Sequence, residues 1–176
     1  LETDALSIAS TTVTSTAAEL NLLDDKDATH LAVPGKFGGT NFDRSLLIGH
    51  STTGTLNGAV NNTGVGESAL EDITQGDDNT AIGRRSLRDL NSGGANTALG
   101  AEALATVTSN SGNTGIGRSA LQLTTGTNNI GLGLGAGDNI TSGDGNVIIG
   151  GIDAASATGD RQLKITGYDG STTTTW

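Results

Sequence analysis

A five-residue pattern that returns at a nearly constant interval constrains this chain more than any other feature. Asn79-Thr80-Ala81-Ile82-Gly83 has close copies at 62–66, 96–100 and 113–117, and looser ones at 45–49, 129–133 and 146–150. The closing glycines are Gly49, Gly66, Gly83, Gly100, Gly117, Gly133 and Gly150, separated by 17, 17, 17, 17, 16 and 17 residues. A fixed period of this size marks a stacked repeat, in which each unit buries its apolar side against its neighbours.

Aligned on the closing glycine, the preceding residue is Ile48, Val65, Ile82, Leu99, Ile116, Leu132 or Ile149, always aliphatic. One position earlier stand Leu47, Gly64, Ala81, Ala98, Gly115, Gly131 and Ile148, mostly Gly or Ala. Side chains alternate faces along a strand. The unit is therefore predicted to be a strand whose aliphatic column faces a core and whose small column meets something packed closely outside. The Thr63, Thr80, Thr97 and Thr114 column shares the aliphatic face, so it is predicted to point inward, which argues against an ice-ordering threonine surface.

After the glycine the spacing changes. Ala or Ser at the third position, Leu at the fourth and an apolar residue at the seventh, as in Ala69, Leu70 and Ile73, match a helical period. Short helical turns are predicted over 67–73, 84–90, 101–107 and 118–123, with Gly137 breaking the Leu column. The fold class is read as a mainly-β solenoid of strand, short helical turn and loop repeats, in an intertwined or side-by-side homotrimer.

The array is assigned to 45–150. Residues 1–44 read as a trimerisation and capping segment. Thr16 and Glu19 form a capping box before Leu20, Leu22 and Leu23 of a short helix, and Phe37 and Phe42 plug the first coil. Residues 151–176 read as a β segment cut short before further domains. The absence of Met and the start at Leu1 read as a fragment or processed piece.

Only 34% of the chain is hydrophobic and 2% aromatic, with 28 Gly. That is too little bulk for a conventional core of this length, so a thin stacked core completed by partner chains is expected. The net charge of −10 opposes binding to nucleic acid or anionic lipid. No apolar run approaches the ~20 residues of a membrane span, so no membrane insertion is expected.

The residues offer no catalytic constellation, cofactor motif or metal site. There is no Cys, and His30 and His50 stand in no nucleophile context. Glu67, Glu71, Asp72, Asp77, Asp78, Glu102, Asp138 and Asp144 lie in turns and loops without an aromatic sugar platform, against glycoside hydrolysis. Asp138-Asn139 and the 142–146 stretch lack the calcium-solenoid nonapeptide and read as turns. Arg84, Arg85, Arg88 and Arg118 read as partners in ordinary salt bridges.

Repeats of Asn-Thr-Ala-Ile-Gly followed by Ala-Leu resemble those in tail-fibre proteins of tailed phages, and are reminiscent of the heads of trimeric autotransporter adhesins. The 15–24 stretch resembles a segment of marine-phage tail fibres. Residues 159–163 and 169–176 resemble sequence preceding the self-cleaving chaperone domain of such fibres. The resemblance implies a homotrimer, a virion or extracellular location, and a structural role that spaces or presents a tip binding a host glycan or protein receptor. The alternatives it leaves are a bacterial surface adhesin or filament subunit, or direct glycan binding by this segment.

Overall fold

The computed structural model describes residues 7–8, 11–12, 35–37, 41–49, 53–168 and 173–175. The chain divides into two units, Leu1–Val33 and Pro34–Trp176. In the first, β1 (Ser7–Ile8) and β2 (Thr11–Thr12) form an antiparallel pair. The predicted helix at 16–23, His30 and His50 lie outside the described residues.

The second unit is a mainly-β parallel solenoid with one strand per coil. The parallel strands are β4 (Leu46–Ile48), β5 (Thr63–Val65), β6 (Thr80–Ile82), β7 (Thr97–Leu99), β8 (Thr114–Ile116), β9 (Ile130–Leu132), β10 (Val147–Ile149) and β11 (Leu163–Tyr168). Each pairs in register with the next, so Thr80 lies over Thr97 and Ile82 over Leu99. The stack thus continues one coil beyond Gly150. Antiparallel strands close both edges: β3 (Gly35–Phe37) on β4, and β12 (Thr173–Thr175) on β11. Phe42 is fully buried at the first coil.

The structure reverses the predicted faces of the strand. Leu47, Ala81, Ala98 and Ile148 are fully buried, and Gly64, Gly115 and Gly131 are buried with them. The aliphatic column instead points outward: Ile82, Leu99 and Leu132 are 39%, 45% and 42% exposed, and Ile48, Val65, Ile116 and Ile149 are half-buried. The reason is volume. Leu70, Leu87, Leu104 and Leu121 cross the thin coil from the opposite wall and are fully buried. A Cβ added to Gly131 would stand 2.7 Å from Leu121 Cγ, so this coil has room only for Gly at the inner strand position, and Ala81 and Ala98 are the bulkiest residues of that column between Leu47 and Ile148. Where that position holds Ile148, the opposite wall holds Gly137, whose added Cβ would meet Ile148 at 3.1 Å.

The predicted helical turns are absent; no helix occurs among the described residues. Each Ala-Leu segment is a pair of tight turns, closed in the second coil by Ala69 N–H to the Gly66 carbonyl and Ile73 N–H to the Leu70 carbonyl. Between them Leu70, Leu87, Leu104 and Leu121 adopt φ of 58°, 46°, 52° and 52°. That left-handed backbone stops a helix. It also turns amide groups along the stack, so Leu70 N–H donates to the Ser86 carbonyl and Asp72 N–H to the Arg88 carbonyl. Coil-to-coil bonding replaces the bonding a helix would keep to itself.

The closing glycines have a strict cause. Gly100 has φ 138°, and a Cβ there would lie 2.5 Å from the Gly117 carbonyl oxygen. In the last coil Thr166 occupies this column, where the next strand is antiparallel β12.

Candidate interaction surface

The strands present one outward face built from two columns. The first runs Leu46, Thr63, Thr80, Thr97, Thr114, Ile130, Val147 and Leu163. The second runs Ile48, Val65, Ile82, Leu99, Ile116, Leu132, Ile149 and Ile165. The Thr column therefore faces outward, against the sequence expectation. No member of either column is charged, although the chain carries −10 overall. Charge returns at the rim: Glu67, Arg84 and Arg118 follow the closing glycines and are exposed. Arg84 Nη2 donates to Glu102 Oε1 of the next coil at 2.7 Å, and Arg88 Nη2 to Asp89 Oδ2 at 2.8 Å, as the salt-bridge reading expected.

Behind this face runs a ladder of buried amides, the part of the motif that the sequence reading left without a role. Asn62, Asn79, Asn96, Asn113, Asn129 and Asn146 all have zero exposure. Each Oδ1 accepts the backbone N–H of its counterpart one coil on: Asn79 N–H to Asn62 at 3.0 Å, Asn96 N–H to Asn79 at 3.0 Å, Asn113 N–H to Asn96 at 3.0 Å. Nδ2 donates to the preceding Oδ1 and to a loop carbonyl, as Asn96 does to Asn79 Oδ1 at 3.1 Å and to the Asn110 carbonyl at 2.9 Å. Ser45 opens the ladder by accepting from Asn62 N–H, and Gln162 closes it on Asn146. No buried side-chain polar atom among the described residues lacks a partner. The signal was in the sequence: an Asn four residues before six successive closing glycines.

Several acidic residues tie coils together. Asp77 Oδ1 accepts from Val60 N–H at 2.9 Å, Asp78 Oδ1 from Asn61 Nδ2 at 2.8 Å, and Asp144 Oδ1 from Thr127 N–H at 2.6 Å. An open cleft of about 650 Å³ lies along the late coils, lined by Arg118, Gln122, Leu134, Asp138, Ile152 and Asp153 among others. Burial first, then a hydrogen bond and like charge from Asp153, raise the Asp138 carboxyl above its ordinary value. Among the described residues no three His, Cys, Asp or Glu side chains gather as metal ligands.

The chain matches no family model, no curated protein and no solved structure.

Proposed function

We propose that this chain is a structural, non-catalytic segment of a fibre of the tailed-phage tail-fibre kind. It acts as a homotrimer, on a virion or outside the cell, and spaces or presents a tip that binds a host glycan or protein receptor. The observation that carries the reading is the unbroken coil-to-coil bonding, in which strands, turns and buried amides all run their hydrogen bonds along the stack. That arrangement puts the repeat into length and rigidity rather than into a chemical site. The test is sedimentation of the purified chain, with antibody labelling of source particles in electron micrographs. A trimer and labelled fibres are expected; a stable folded monomer at micromolar concentration sinks the reading.

The outward Thr column favours a second reading, in which a free threonine and aliphatic face orders water and binds ice. The two readings differ in what the strand face meets, since ice needs it open to water. A monomer that shapes growing ice crystals supports the second.

A further inference from the structure

We infer that Asn57 is a modification site at which the chain attacks itself and loses a side-chain amide. The main-chain nitrogen of Gly58 forms a bond to Asn57 Cγ. The Cγ–Nδ2 bond breaks, and ammonia leaves with the proton that the Gly58 nitrogen gives up. Water then opens the resulting succinimide at either carbonyl, leaving aspartate or isoaspartate. The reaction needs no oxidant and no enzyme. It needs a free attacking amide, a free side chain and room for the ring to close.

All three meet in the bend between β4 and β5. Asn57-Gly58 is the only Asn-Gly pair in the sequence, and both residues are exposed. Gly58 has φ 97°, and a Cβ built there would meet nothing within 4 Å, so the space around it is open. The Asn57 main-chain N–H donates to the Thr74 carbonyl at 2.8 Å, but its side chain and the Gly58 N–H have no partner among the described residues.

The next coils show what holding this bend looks like. Thr74 stands over Asn57 and Asn91 over Thr74, joined by successive main-chain bonds. One residue on, the Gln75 N–H donates to the Asn91 carbonyl at 3.0 Å and the Ser92 N–H to the Thr108 carbonyl at 3.2 Å. Asn91 Oδ1 also accepts from Thr74 Oγ1 at 3.0 Å. In the buried ladder both groups are tied as well: Asn96 Nδ2 donates to the Asn110 carbonyl, and the following Thr97 N–H to the Asn113 carbonyl at 2.8 Å. The Ser111 N–H, after half-buried Asn110, is unbonded too, but it carries a Cβ that crowds the attack Gly58 permits. The change adds a carboxylate to a chain of net charge −10. Isoaspartate also adds a methylene to the main chain between two anchors, Asn57 N–H on Thr74 and Val60 N–H on Asp77 Oδ1 at 2.9 Å, so the first coil is the one that ages.

The experiment incubates the full chain, folded and in guanidinium, at one mildly alkaline pH. Peptide mapping by mass spectrometry follows amide loss at Asn57 and Asn91, and each folded rate is divided by the same site's denatured rate. Asn57 is expected to react folded nearly as fast as denatured. Asn91 is expected to be slowed about tenfold, the factor that a bond of about 1.4 kcal/mol carries. An Asn57 rate slowed about tenfold by folding, or an Asn91 rate left unslowed, overturns the proposal. Asn57→Gln, whose longer side chain cannot close a succinimide, should remove the leading acidic form of the aged folded chain on isoelectric focusing. Persistence of that form places the change elsewhere and overturns the assignment to Asn57.

Discussion

Replacing Asn96 with alanine tests whether the buried amide ladder holds the coils together. The side chain is fully buried and donates to Asn79 Oδ1 at 3.1 Å and to the Asn110 carbonyl at 2.9 Å. Its Oδ1 accepts from the buried Asn113 N–H at 3.0 Å. The Asn96→Ala substitution removes two donated bonds, each contributing about 1 kcal/mol, and strands a buried donor at about 1–3 kcal/mol. The expected loss is therefore about 3–5 kcal/mol, a large share of the ~5–15 kcal/mol that holds an ordinary domain. Guanidinium unfolding followed by circular dichroism gives the total. Amide exchange locates it, with the Asn113 amide losing more protection than amides in the first coil. The measurement is made at one protein concentration throughout, since association adds to stability. A loss below about 1 kcal/mol, or protection unchanged at Asn113, would show that the ladder merely accompanies the stack.

Gly100→Ala places a Cβ at φ 138° and 2.5 Å from the Gly117 carbonyl oxygen; with left-handed strain alone at about 1–3 kcal/mol, a stability loss above about 3 kcal/mol is expected from thermal melts, and a loss below about 1 kcal/mol refutes the close approach. Arg84→Ala breaks the pair with Glu102, whose side chains are 45% and 27% exposed, and should shift stability by less than about 1 kcal/mol, with a larger denaturant shift pointing to a buried role instead. Asp138 has a folded-state affinity for its proton above the ordinary carboxylate value, so the native state binds more protons than the unfolded chain and stability falls as pH rises from the ordinary Asp range through the raised value. Asp138→Asn should flatten that slope and stabilise the chain at neutral pH, as read from melts across pH; a slope that survives the substitution assigns it to another group.

The sequence by itself determined the coil. A repeated Gly that must accept positive φ against a neighbour's carbonyl, spaced by 17 residues five times out of six, leaves little but an in-register stack. It also held the amide ladder, because a buried Asn is tolerated only where each of its polar atoms is met, and here its own copies meet them. What it left undecided was which side of the strand is inside. Period-two alternation separates Ile82 from Ala81 but does not say which faces the core. Ordinary size reasoning puts the larger residue in; the tertiary structure put Ala81 in, because Leu70 and Leu87 from the opposite wall had already filled the coil. The same wall undid the helical reading. Ala69, Leu70 and Ile73 have helical spacing, but Leu70 at φ 58° sends its amide to the next coil instead of back into its own. Local periodicity describes how often a side chain returns, whereas its facing and its hydrogen-bond partner are set by the coil stacked beside it.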